Sequence, residues 1–491
     1  MIIGGSKENG VVIPRWLSYK DAAVSGELAI PASKEITFAR DFTADLNLFT
    51  QSPTVFLAAD LLGLAFLDNR PEAPELARYL QKNGVLSKPA GRLVRRVLGQ
   101  SSEAPIQDTS VRLAIARLRS DLHRFPRNSS KWVDLARCYT ACGQNGPALK
   151  ALRTAVALAP QDRFCVRALC RFFIHTRDYT AAHEFFKAHS ELLKDPWLLA
   201  PAASIASLAD KPSPLPRLLS VDITSESEAF HKSELFEAFG TAELANGKDR
   251  SARKALRAAW QKPTHNVITH AQWVTRHLLP GLRGEVCLNF SQSAQAAAQE
   301  CVERGDLKSA RPFLELWKQE EPYSAGPYVL DAYLHCITEE FGKVIAVFDE
   351  ARTKGLLSGM LMNNTAVAYA CSGQIDEAAQ LVRELKRNPG AIPEFTLLAT
   401  EGLIQFAQGN AATGSLLYKE AEEKAGTTWF SNRVFLNKML ELHRFRLPIE
   451  TRDKRRFEDL AKISDGFHVT QLLNNIRKFE TARPADAKVN G

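Results

Sequence analysis

The side chains in this sequence that could do chemistry are dispersed. His265, His270 and His277 stand five and seven residues apart. That spacing does not put three imidazoles on one helix face, so no metal site is expected from them. Cys138 and Cys142 are four apart and could meet on one face, but without a histidine beside them they read as packing side chains. None of the eight cysteines forms a C-x-x-C pair, and Gly4-Gly5-Ser6-Lys7 holds only the second half of a phosphate loop. There is no H-E-x-x-H helix and no G-x-S-x-G elbow. Neither an enzyme nor a bound cofactor or metal is expected. What remains is the chemistry of arginine, whose guanidinium takes carboxylate or phosphate bidentately. Between Thr109 and Ser190, eleven Arg and three Lys stand against four Asp and one Glu, an excess of +9 in a chain whose net charge is +8. The rest of the chain is close to balanced, so the excess points to a local acidic partner rather than a polyanion covering the whole surface.

The elements that must position these groups follow from composition and period. At 491 residues, 45% hydrophobic and 24% charged, the chain has an ordinary soluble composition and ample length for a core. No run of about 18 apolar residues occurs, so no membrane helix is expected. MIIGGSKENG has no apolar segment of the secretory kind, so a cytoplasmic chain with reduced thiols is expected.

An internal repeat organises the sequence. From Ser129, Trp132, Leu135, Ala136 and Tyr139 follow the i, i+3, i+4, i+7 rule of a first helix. Gly143 then marks a turn, Ala148, Leu152 and Ala155 line a second helix, and Pro160 stops it. The frame returns at 34-residue steps from Arg163 and, further on, from Ser291, Ala325 and Gly359. Units from Ser233 and Phe395 place Gly240 and Gly402 at the same small position as Ala136. One such hairpin leaves a face open, so several must stack.

This pattern resembles the tetratricopeptide repeat, with Ala136 for the family's small Gly and Leu152 for its Phe. The resemblance implies an all-α fold: a right-handed α-solenoid of antiparallel helix pairs, with a mostly helical N-terminal region. Residues 1–105 are expected as that helical region, a degenerate repeat or cap. Residues 106–445 would form the solenoid, with breaks near 210–232 (KPSPLPR) and 280–290 (LPGLRG), and 446–491 would hold capping helices and a disordered tail. Within the first region GVVIPRWLSY, Gly10–Tyr19, reads as extended because of its proline and β-branched residues.

In this family the first helix of each unit lines a concave groove. By resemblance Arg137, Arg167, Arg171 and His175 face it, as do Gln295, Gln299 and Asn363 further along. The implied function is a non-enzymatic scaffold or adaptor that takes a peptide or protein segment in the groove, acidic near residues 109–190. A different reading starts from Leu76–Leu98, where two helices around Asn83-Gly84 carry Lys88, Arg92, Arg95 and Arg96. That arrangement suits a helix-turn-helix contact to nucleic acid and would make the chain a DNA-binding regulator with a peptide-sensing array.

Overall fold

The computed structural model describes residues 10–19, 42–67, 70–84, 88–98, 111–215, 226–282, 288–388, 392–462 and 466–481. Residues 99–110, which span the expected boundary at 105/106, the tail 482–491, and parts of both expected breaks (216–225 and 283–287) lie outside them. Among the described residues there are 24 α-helices and no strand. The chain divides into two compact units: Ser18–Arg127, and Met1–Leu17 together with Asn128–Gly491.

The smaller unit holds α1 (Phe42–Gln51), α2 (Val55–Leu67), α3 (Ala73–Asn83), α4 (Lys88–Val97) and α5 (Val111–Arg124). Pro74 sits in the first turn of α3, where a missing N–H is harmless. Leu61 and Leu62 of α2 bury against Leu76 and Leu80 of α3 and Val94 of α4.

The larger unit is built from helix pairs. They are α6 (Ser129–Ala141) with α7 (Asn145–Leu158), α8 (Arg163–Thr176) with α9 (Tyr179–Ala188), and, after the single helix α10 (Pro196–Leu208), α11 (Glu226–Ala245) with α12 (Asp249–Ala259). The single helix α13 (His265–His277) follows. Then come α14 (Ala294–Glu303) with α15 (Leu307–Glu320), α16 (Gly326–Ile337) with α17 (Phe341–Thr353), α18 (Gly359–Cys371) with α19 (Ile375–Lys386), and α20 (Glu394–Ala407) with α21 (Ala411–Lys424). The last three are α22 (Thr428–Arg444), α23 (Thr451–Ala461) and α24 (Gly466–Thr481). Neighbouring helices pack on one another along the chain, as in a helical repeat.

The period has a backbone cause. Left-handed residues close the first helix of the pairs, and Gly143 and Arg177, then Gly305, Glu339 and Gly373, recur at 34-residue steps. At each, the next amide reaches back to a carbonyl of the last turn, as in Gln144 to Tyr139 and Gln374 to Tyr369, which satisfies groups a helix end would orphan. Side-chain caps then start the next helix: Asp178 accepts from the Ala181 amide and Asp306 from Ser309. The two helices of a pair touch most closely at small residues. A Cβ on Gly240 would lie 2.8 Å from the Leu256 side chain, and one on Gly402 would lie 2.7 Å from the Tyr418 ring.

Among the described residues the pairing is interrupted at two places. Lys211–Leu215 after α10 is non-helical, and α13 is followed by short 3-10 turns at Pro280–Leu282 and Phe290–Gln292 in place of a second helix among the described residues. The array also returns on itself. The Gly143 turn touches the Gly355 turn, where a Cβ on Gly355 would stand 3.4 Å from the Gly143 Cα. At the far end α24 buries Leu472, Leu473 and Ile476 with α22. Asn475 Nδ2 of α24 donates to the Ile337 carbonyl at 3.1 Å, and His468 pairs with the Tyr333 hydroxyl.

Candidate functional site

The arginines singled out by the repeat frame divide into two settings. Arg167 on α8 is 3% exposed and is held bidentately by Glu234 of α11, at 2.8 and 3.1 Å, with Trp197 stacked 4.9 Å from its guanidinium. Glu234 also accepts from Thr264 Oγ1 at 3.1 Å and Asn266 Nδ2 at 2.6 Å. Four donors on one desolvated carboxylate make this a structural pin between α8, α11 and α13. Arg137 and Arg171, by contrast, come together at Tyr323, in the turn after α15. Their guanidinium carbons stand 6.0 and 5.2 Å from its ring centre. Arg171 also pairs with Glu321 at 3.9 Å, and Arg137 Nη2 donates to the Glu320 carbonyl at 2.7 Å.

Around that point lies a second stretch of chain, Gly10–Leu17. Val12 and Trp16 are each 1% exposed, and Val11, Pro14 and Leu17 are buried as well. The Trp16 indole stands edge-on to Phe172 and tilted against Tyr323, with centroids 6.2 and 5.2 Å away. Val12 joins the core of α10, α11 and α13 beside Leu199, Ala203 and Val267.

Side chains read the backbone of this segment. Arg137 Nε donates to the Trp16 carbonyl at 3.0 Å, and Ser204 Oγ donates to the Val12 carbonyl at 2.7 Å. The Arg15 amide donates to Asn266 Oδ1 and the Trp16 amide to Tyr323 Oη, both at 3.1 Å. The Arg15 guanidinium donates to the Glu320 carboxylate and to His265 Nδ1, both at 2.6 Å. These partners lie between 121 and 307 residues away in sequence.

Electrostatics fit those roles. Burial, then the nearby Arg15, lowers the pKa of His265 and keeps it a neutral acceptor. Burial, then Arg171, lowers His175 from its ordinary 6.5 to about 4. Burial, then Glu321, pushes Tyr323 up to about 12, so its hydroxyl keeps its proton and can donate. Burial likewise pushes the Cys138 thiol up to about 11 and Cys170 to about 12, far from the thiolate a nucleophile or metal ligand needs. Among the described residues no group of three His, Cys, Asp or Glu has a metal-binding arrangement. Toward Gly10–Leu17 these side chains act by hydrogen bonding and by excluding water.

The remaining expected site residues fall elsewhere. His175 is half-buried with its ring edge-on to Tyr323, 6.1 Å between centroids. Gln295 and Gln299 are half-buried on α14. Asn363 is fully buried between α18 and α20, where it accepts from Thr400 Oγ1 at 2.8 Å. A small cavity behind α24 is lined by Thr400, Tyr418, Asn437, Glu441, Arg444 and Asn475 among others. Of the four basic residues proposed for nucleic acid, Arg95 is exposed, while the side chains of Lys88, Arg92 and Arg96 lie outside the described residues.

The repeat frame missed Ser204, His265, Asn266, Glu320 and Tyr323 as parts of one site. The available signal was GVVIPRWL itself, a run too apolar to stand in water and too broken by Pro14 to be a helix. Among the described residues no helix is long and apolar enough to cross a membrane. No protein-family model matches the chain, and no curated protein is recognisably similar to it.

Proposed function

We propose that this chain is a non-enzymatic interaction scaffold of tetratricopeptide-like repeats, wound as a right-handed solenoid, that holds a peptide segment of a partner protein against its inner helices. One observation carries the reading: a non-helical stretch of chain is gripped by side chains of α6, α10 and α13 and the turn after α15, through its carbonyls and amides as well as its side chains. A wall that reads backbone groups and supplies an aromatic pocket is general equipment for taking extended peptides. It needs no activated nucleophile and no metal. The acidic partner expected from the basic band has less support than a peptide of mixed character, since Arg167 is engaged with Glu234 and Glu320 and Glu321 stand at the same place.

The test is a peptide-array screen with the full chain, followed by titration of the hits against Arg137→Ala and Tyr323→Ala. Hits that use this wall weaken about tenfold or more in both variants, as loss of a charge-assisted hydrogen bond at Arg137 or of a buried aromatic ring at Tyr323 implies. Hits indifferent to both substitutions would sink the groove reading. Salt-dependent retention of DNA by Arg95 and its neighbours, unaffected by either substitution, would favour the regulator instead.

A further inference from the structure

The segment Gly10–Leu17 has the features of a ligand rather than of a repeat. It belongs to no helix pair, and among the described residues no backbone–backbone hydrogen bond ties Val11–Leu17 to the array. The segment adds no backbone hydrogen bond to the surrounding helices, although Val12 shares their core. Every polar contact of the segment named above is instead a side chain reading a backbone group, or a side chain meeting a side chain. The fit has one defect: Trp16 Nε1 is buried with no hydrogen-bond partner. A buried donor left unmade weakens the bound state relative to a ligand that lacks it.

We propose that Gly10–Leu17 is an intramolecular occupant of the peptide site, and that the partner segment which displaces it shares its chemistry: a buried aliphatic residue, then an arginine followed directly by an aromatic residue. This rests on the peptide-binding reading above and adds to it what the site selects and what guards it. Each feature has its counterpart in the wall. The aliphatic position is Val12, set among Leu199, Ala203 and Val267, with its carbonyl taken by Ser204. The arginine position is flanked by the Glu320 carboxylate and His265, a pairing that rejects an acidic residue there. The aromatic position lies between Phe172 and Tyr323, with its carbonyl taken by Arg137. A partner with Phe at that position would fill the pocket without the unpaired indole N–H.

The occupant also joins two parts of the array. Trp16 touches α8 on one side and the turn after α15 on the other, alongside the direct link from Arg137 to Glu320. Exchange of the occupant therefore takes place where the array closes on itself, and a competing segment must enter that junction.

The experiment uses the full chain and a fluorescein-labelled synthetic peptide carrying residues 10–19, with a scrambled peptide as control. Anisotropy titrations compare the unmodified chain with Arg15→Ala/Trp16→Ala, which loosens the occupant, and with that pair combined with Tyr323→Ala. The expected result is binding at least about tenfold tighter in the loosened chain, lost again when Tyr323 is removed. Equal, specific binding to the unmodified and loosened chains would overturn intramolecular occupancy while leaving the peptide-binding reading intact. No specific binding to a loosened chain whose circular dichroism is native would overturn both. Should the double variant fail to fold, hydrogen exchange on the unmodified chain decides. Excess peptide must deprotect the Arg15 and Trp16 amides and expose the Arg15–Trp16 bond to trypsin, and unchanged protection refutes the proposal.

Discussion

The pin between Arg167 and Glu234 permits a quantitative test of how this wall is built. Glu234→Ala would leave a guanidinium buried at 3% exposure without its carboxylate, and would strip Thr264 and Asn266 of their acceptor. Breaking a buried pair from one side costs about 3–5 kcal/mol, because the surviving charge is uncompensated. Replacing both partners by apolar groups of similar size is often neutral or better. Here Arg167→Met/Glu234→Leu would still orphan Thr264 and Asn266, at about 1–3 kcal/mol each where no water reaches them. The double variant should therefore be no worse than Glu234→Ala alone, although it removes twice as many groups. Because a long repeat array need not unfold in one step, the assay is hydrogen exchange resolved over α8, α11 and α13 in a urea series. Asn266 also receives the Arg15 amide, so Glu234→Ala should raise exchange at Arg15 as well. Additive losses in the double variant, roughly the sum of the two single ones, would refute the idea that a desolvated pair holds these helices together.

Three further outcomes follow from the same contacts. His175 is neutral in the folded chain down to about pH 4 but takes a proton near 6.5 when unfolded, so its contribution is intact above pH 6.5 and is lost as pH falls from there towards 4. His175→Gln should flatten that part of a urea-midpoint-against-pH curve, and an unchanged slope would put the acid sensitivity elsewhere, such as at His468, which burial and Arg433 lower to about 3. Gly240→Ala drives a Cβ to 2.8 Å from Leu256 Cγ, and overpacking of this kind costs about 1–3 kcal/mol, read as faster exchange in α11 and α12. Trp16→Phe, which removes the unpaired N–H but keeps a ring against Phe172 and Tyr323, should leave trypsin cleavage after Arg15 nearly as slow as in the unmodified chain. Trp16→Ala, losing a large buried ring at about 3–5 kcal/mol, should cleave far faster.

The repeated helices were legible because their causes are local. Ala136 and Ala148, both fully buried, and the left-handed Gly143 lie within one 34-residue unit, and each does its work against residues a few turns away. The same holds for Gly240 against Leu256. Even the two places where pairing fails announce themselves locally, in KPSPLPR and in Pro280-Gly281. Arg177 and Glu339 were less visible, since the left-handed turn there is carried by residues that do not advertise it, yet the 34-residue step holds across them.

The site was legible only by half, and the reason is distance along the chain. Position within a unit tells which side chains face inward, but not what else faces inward with them. Arg137 and Arg171 do meet, but their meeting point, Tyr323, comes from a turn some 150 residues or more further on. Arg167, one helical turn from Arg171 in the same pattern, turns instead to Glu234, whose own position in its unit says nothing about a guanidinium waiting in α8. A periodic sequence specifies its neighbours strongly and its returns weakly, because each return depends on the sum of many small rotations between units. Gly10–Leu17 lies outside that scheme altogether, since no period relates it to Ser204, Asn266 or Tyr323. Its burial therefore says something the repeats cannot. A segment with no place in the period, held by side chains drawn from several units, occupies the array in the way a separate peptide would, and mutations at Val12, Arg15 or Trp16 should report on exchange at the wall before they report on the stability of the helices behind it.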